Sequence, residues 1–136
     1  MRARHSGKPL AEKLGIKPGF VVVVVRPPID YLRLLGRIPE NVAIRARLRG
    51  PVNIVHAFVK DRAELEAQFD RWKRAIRAAG SLWVSWPKKG SGVPTDLTED
   101  VVREVALAHG LVDVKVCAVD ETWSGLKLVY RLKDRI

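Results

Sequence analysis

Cysteine is almost missing from this chain: Cys117 is the only one in 136 residues. A single thiol excludes an intrachain disulfide framework and an all-cysteine metal cage. No group of His, Cys, Asp and Glu has metal-ligand spacing, so neither a metal nor another cofactor is expected. Long apolar runs are missing too. The longest, residues 20–25, is far short of the ~18 residues of a membrane-spanning helix. The basic start (Met1-Arg2-Ala3-Arg4-His5-Ser6-Gly7-Lys8) leads into no apolar signal segment. The expectation is a cytoplasmic protein of a reduced compartment, with no membrane partner. Acidic residues are the scarcer charge, 15 against 25 basic ones, for a net +10. With 47% apolar residues one ordinary core can form. A single domain over residues 8–136 is expected, behind a flexible basic tail of residues 1–7.

Proline is present but confined. All eight prolines fall between apolar segments and punctuate the chain. Residues 8–15 suit a short helix with Pro9 in its first turn and Gly15 at its end. Lys17-Pro18-Gly19 has proline and glycine in the order of a type II turn. Residues 20–25 are a β-branched run without polar alternation, the pattern of a strand covered on both faces. Arg26-Pro27-Pro28 stops it, and residues 29–36 read as a short helix. Residues 52–59 form a second buried strand.

Residues 61–79 carry the clearest helical period. Asp61 and Glu64 make a capping-box-like start. Leu65, Phe69, Trp72, Ile76 and Ala79 form one apolar stripe, and Gly80 stops it. Residues 81–86 read as a strand and residues 96–109 as a helix, with Val101, Val105 and Ala108 on its stripe. Strands over residues 112–119 and 126–132 end the chain. Helices alternating with apolar strands predict a mostly parallel α/β sheet, and the short link before Gly125 allows only an antiparallel final hairpin.

Residues 42–48 alternate Ile44, Ala46 and Leu48 with Arg45, Arg47 and Arg49, as on an edge strand. Gly50-Pro51 alone cannot carry the chain back to start a parallel neighbour. Either this strand pairs antiparallel with its successor, or it stops near Ile44 and residues 45–51 make the return. The second is preferred, because seven extended residues have the reach.

Four blocks resemble a bacterial domain family that has no assigned activity: Ser6-Gly7-Lys8-Pro9-Leu10, Leu14-Gly15-Ile16-Lys17-Pro18-Gly19, Trp83-Val84-Ser85-Trp86-Pro87-Lys88-Lys89, and Lys115 to Ser124. More remotely, the Leu14–Gly19 approach to the first strand and the closing hairpin resemble the Rossmann-like fold of S-adenosylmethionine-dependent methyltransferases. That resemblance implies an α/β, Rossmann-like sheet of about six strands, helices on both faces and an antiparallel C-terminal hairpin strand. The departures bear on the cofactor. Where that family has a glycine-rich turn after the first strand, this chain has Arg26-Pro27-Pro28-Ile29-Asp30. Where it has a ribose-binding carboxylate after the second strand, this chain has Arg45, Arg47 and Arg49. A strand and helix between its second and fourth strands are also missing. Fold inheritance follows from the resemblance, and function does not.

In an open α/β sheet, ligands bind outside the carboxyl ends of the parallel strands. Four segments converge there on this assignment: residues 26–30, 60–61, 86–96 and 120–123. Lys88-Lys89-Gly90-Ser91-Gly92, with a helix starting near Thr95-Asp96, makes an anion cradle. It is not a P-loop, because its lysines precede its glycines. A solvated turning loop is the competing reading. Asp120, Glu121 and Trp123 line the other wall, or else form a salt-bridged hairpin loop. The leading expectation is a small anionic or nucleotide-like ligand held by Lys88, Lys89, Ser91, Thr95, Asp96, Asp120 and Trp123, without catalysis.

Other polar and aromatic residues read as structural. His56 lies in a strand apolar on both faces and reads as a satisfied core histidine. His109 sits at a helix end, where its charge suits the dipole. Cys117 reads as a buried thiol. Trp72 belongs to the core, and Trp83 and Trp86 point to opposite faces, Trp86 nearer the proposed site. Two other functions stay open. The charge favours a polyanionic partner such as nucleic acid, tracked by Arg45, Arg47, Arg49, Arg71, Lys73 and Arg74, although no aromatics interleave with these arginines. A divergent methyltransferase-like enzyme is the other.

Overall fold

The computed structural model describes residues 7–135. Six residues of the expected tail, with His5 and Ser6 among them, lie outside the described residues. Helix α1 (Leu10–Leu14) has Pro9 as its N-cap and ends at Gly15, whose φ of 80° is left-handed. The next turn is closed by Phe20 N–H donating to the Lys17 carbonyl at 3.1 Å, with Gly19 at φ 81°. This leads into β1 (Val21–Val25), whose central valines are buried.

Helix α2 (Tyr31–Leu35) and the edge strand β2 (Ala43–Arg45) follow. The chain then returns through residues 46–51, with a cis Gly50–Pro51 peptide, to β3 (Val52–Phe58). The preferred short-strand reading of this join holds, because β2 pairs parallel with β1 and stops at Arg45. After α3 (Arg62–Ala75) come β4 (Ile76–Pro87), α4 (Glu99–Ala108), β5 (Leu111–Ala118) and β6 (Trp123–Tyr130). The sheet order is β2-β1-β3-β4-β6-β5. β1, β2, β3 and β4 are parallel, and β6 runs antiparallel to both its neighbours.

One core lies on each face. Leu65, Phe69 and Trp72 of α3 and Val102 and Val105 of α4 pack on Val23, Val55, Leu82 and Val84. On the other face Leu10, Leu14, Tyr31 and Leu35 cover Val22, Val24, Ile54 and Trp83. Trp83 and Trp86 do face opposite ways: Trp83 belongs to the α1–α2 core and Trp86 to the α3–α4 core. Trp86 is only 5% exposed and packs in the α3–α4 core.

Three boundaries differ from expectation. Helix α3 stops at Ala75, because Ile76 is already extended (φ −86°, ψ 146°) and pairs with Val52. Its burial falls in phase with the helical stripe, which is why the period ran on. Ala79 is exposed. Gly80 ends no helix; it sits inside β4, where a Cβ would stand 2.6 Å from the Asn53 carbonyl oxygen. Helix α4 begins at Glu99, not Asp96, because the Thr98 hydroxyl accepts from Val101 N–H at 3.2 Å and caps it. Its buried stripe is Val102, Val105 and Ala106, and Ala108 is exposed. Trp123 is the first residue of β6 instead of a loop residue.

Candidate functional site at the carboxyl edge

The four expected segments meet at the carboxyl ends of β1, β3 and β4. β1 runs into Arg26, which takes a positive φ of 55°. That conformation is uncommon away from glycine. Pro27 and Pro28 follow and offer no N–H. β3 runs into Lys60 and Asp61, and the Asp61 carboxylate accepts from Glu64 N–H at 2.8 Å to start α3. The Thr95 hydroxyl donates to the Lys60 carbonyl at 2.5 Å, and Asp96 accepts from Arg62 N–H at 2.8 Å. The chain after β4 is thereby tied to the β3–α3 junction. Lys88 N–H donates to the Thr122 carbonyl at 2.7 Å. Asp120 accepts from the N–H groups of Thr122 and Trp123 at 2.9 and 2.8 Å, which fixes the hairpin turn.

These bonds set Trp123 edge-on to Phe58, with ring centroids 5.0 Å apart and planes at 90°. Beside the pair lies a cleft of about 380 Å³, within the usual range of small-molecule sites. Pro27, Pro28, Phe58, Val59 and Trp123 give it apolar walls, and Arg26, Lys60, Asp61 and Glu64 rim it with both charges. Arg26 reaches across to Glu64 at 2.8 Å. The cleft can therefore receive a flat apolar group against the rings and a charged group at the rim.

Of the residues expected to hold an anion, Trp123 lines this cleft. Asp120, Thr95 and Asp96 spend side-chain oxygens on the backbone bonds just described, as does Ser91, whose hydroxyl accepts from Val93 N–H at 3.2 Å. Lys88 is half-buried, while Lys89 is exposed in a single 3₁₀ turn. The helix start expected at Thr95-Asp96 is three residues early, and the true first turn carries Glu99 and Asp100. Those carboxylates already occupy the favourable end of the dipole. Phe58, Val59 and Glu64 were not foreseen as site residues. Phe58 and Val59 read as strand core and Glu64 as a cap partner; the place of Phe58 and Val59 at the carboxyl end of β3, and of Glu64 in the first turn of α3 after it, is the one signal that marks them.

Under the cleft runs a closed polar chain. His56 Nδ1 lies 2.8 Å from the Tyr31 hydroxyl and its Nε2 lies 2.7 Å from the Ser85 hydroxyl. All three are buried, and the imidazole stacks 4.3 Å from Phe58. Burial drives the His56 pKa down to about 3 and raises that of Tyr31. His56 is a satisfied core histidine. His109 ends α4 and lies 2.8 Å from Asp70, and this hydrogen bond holds the Asp70 carboxyl below its usual range. Cys117 is half-buried and its thiol is pushed up by burial. Among the described residues, no group of acidic, histidine and cysteine side chains is placed to hold a metal ion.

The arginine-rich face is also assembled. Arg45, Arg47 and Arg49 are exposed along β2 and its return, as are Arg71 and Arg74 on α3. Ala46 and Leu48 meet α3 at Arg71 and Trp72 across a shallow groove. Lys73 is used otherwise: its ammonium donates to the His109 carbonyl at 2.6 Å and lies 5.8 Å from the Tyr130 ring centre.

No protein-family model and no curated protein sequence matches the chain. Solved structures do. An S-adenosylmethionine-dependent methyltransferase from Aquifex aeolicus is 14% identical, with 88% of this chain and 86% of that one covered and a TM-score of 0.59. Magnesium protoporphyrin IX methyltransferase from Synechocystis, with bound S-adenosylhomocysteine, is 13% identical over 84% and 75%, at 0.59. A ribosomal protein L11 methylase from Lactobacillus delbrueckii is 12% identical over 89% and 74%, at 0.58. The chain has the Rossmann-like methyltransferase fold. Identity this low carries the fold alone.

The methyltransferase fold implies S-adenosylmethionine, and the residues present do not fit it in that family's manner. The turn after β1 holds two ring-blocked nitrogens and an arginine where the family has glycines. β2 ends in the exposed Arg45, not a carboxylate. β2 and β3 are joined by residues 46–51 with no helix between them.

Proposed function

We propose that this methyltransferase-fold protein binds a small, flat, charged ligand of nucleotide-like character in the carboxyl-edge cleft. The observation that carries the reading is the Trp123–Phe58 pair beside two prolines, directly bordered by Arg26 and Lys60. A ring system packs against the aromatic edge, and an anionic group meets the rim cations. Lys60 is in no ion pair among the described residues, so its charge is available. Lys88 and Lys89 follow β4 on the same edge and add to the positive field. Asp120 and the Thr95–Asp96 segment act by positioning, since their oxygens hold the backbone that frames the cleft.

Methyltransferase-like chemistry is the second reading. The kind of solved structure that shares this fold favours it over a purely passive binding role, while the proline turn and Arg45 speak against the usual cofactor mode. Calorimetric titration with adenosine monophosphate, S-adenosylhomocysteine and S-adenosylmethionine separates the two. Saturable one-to-one binding of the nucleotide is expected, weakened at least tenfold by Trp123→Ala and by Lys60→Gln, and to a smaller extent by Lys88→Ala with Lys89→Ala at nearly unchanged stability. Tight binding of the S-adenosyl compounds alone would transfer the conclusion to the second reading. Binding only of a nucleic-acid duplex, lost with salt and in Arg45→Ala with Arg47→Ala, would refute both in favour of the arginine face.

A further inference from the structure

A second cleft opens at the opposite edge, where the parallel strands begin. It is also about 380 Å³. Its floor is Phe20 just before β1, Asn53 near the start of β3 and Ser81 within β4, and its charged groups are Lys17, Lys127 and Arg135. Among the described residues, no carboxylate lines it. The strand register sharpens this: Lys127 of β6 stands directly opposite Lys115 of β5. Like charges placed opposite each other on adjacent strands destabilise a sheet. None of Lys17, Lys115 and Lys127 has an ion-pair partner among the described residues. Lys127 is partly buried, and its pKa is lowered by that burial and by Lys115 and Lys17. At the floor, Ser81 is 5% exposed and its hydroxyl has no hydrogen-bond partner among the described residues. Buried hydroxyls are ordinarily bonded.

Three cations converge on a cavity that holds no counter-charge among the described residues, and a buried donor opens at its base. We propose that this amino-edge cleft is an anion site that takes a compact phosphate-bearing small molecule. Lys17, Lys127 and Arg135 neutralise its charge and Ser81 donates to one of its oxygens. An anion bound there offsets the Lys115–Lys127 repulsion that the empty sheet carries. The inference uses no residue of the carboxyl-edge cleft and stands or falls independently of it.

The test is calorimetric and thermal titration of the full chain with inorganic pyrophosphate, against sodium chloride of equal ionic strength. Saturable one-to-one binding is expected, reduced at least tenfold by Lys127→Gln and by Lys17→Gln and unchanged by Trp123→Ala. Without ligand, Lys127→Gln is expected to raise Tm, which also shows that the variant folds. Parallel titrations with adenosine diphosphate and inorganic phosphate in the Trp123→Ala background identify the source: binding of the ester that Lys127→Gln weakens supports an organic phosphate, and binding of the free ions alone supports inorganic phosphate. A pyrophosphate effect no larger than that of chloride would overturn the site. So would undiminished binding in both lysine variants, or binding of an RNA duplex without binding of pyrophosphate.

Discussion

His56 makes stability depend on pH in a direction fixed by the structure. Its folded pKa is about 3 and its ordinary value 6.5. Between those values the unfolded chain takes up a proton that the folded chain refuses. Stability is therefore full above about pH 6.5 and falls as the pH drops, at about 1.4 kcal/mol per unit from this one group. From pH 6.5 to 5 the loss is about 2 kcal/mol, a large share of a typical 5–15 kcal/mol. At this chain length that lowers Tm by roughly 6–10 °C. Urea unfolding of the wild type and of His56→Gln across pH 5–7.5 isolates the effect, because every other titrating group cancels in the difference. The variant loses stability at neutral pH, where the bonds to Tyr31 and Ser85 are weakened, yet its curve is flatter by about 2 kcal/mol over the window. Parallel curves for the two proteins would mean that His56 is not held neutral in the folded chain. If His56→Gln does not fold, Tyr31→Phe keeps the imidazole buried and must keep the wild-type slope.

Other perturbations follow from the same contacts. Gly80→Ala drives a Cβ to 2.6 Å from the Asn53 carbonyl oxygen, which is sheet backbone and cannot turn aside; a loss of about 1–3 kcal/mol is expected in denaturant unfolding. Asp61→Ala removes the side-chain cap of α3 and should cost about 1 kcal/mol, whereas Asp61→Asn should recover most of it. Trp123→Ala removes one cleft wall and should weaken nucleotide binding in calorimetry at least tenfold, while Arg45→Ala with Arg47→Ala leaves it intact.

The sheet was legible where burial is two-sided. The unbroken valines of β1 and the nearly apolar β3 announce central strands, and the arginine alternation after Val42 announces the β2 edge. Boundaries failed where two periods overlap: Ile76 is at once in phase with the α3 stripe and the first buried residue of β4. The carboxyl edge was legible as four segments because topology alone selects it. Its working surfaces were not. Thr95, Asp96 and Asp120 are the polar residues a sequence reader assigns to ligand, yet their oxygens are engaged by nearby backbone. Phe58 reaches the cleft because Trp123, far along the chain, comes to lie against it. The amino-edge lysines are scattered over residues 17, 115 and 127 and gather only through the β5–β6 register and the turn after α1.

An amide- and indole-resolved NMR titration of the full chain with adenosine monophosphate would place the ligand on the molecule. Saturable shifts are expected at the Trp123 indole and at the Lys60 and Asp61 amides, with the Arg45 to Arg49 segment unmoved. Shifts confined to that arginine segment, or none at the carboxyl edge with any of the nucleotides, would contradict it.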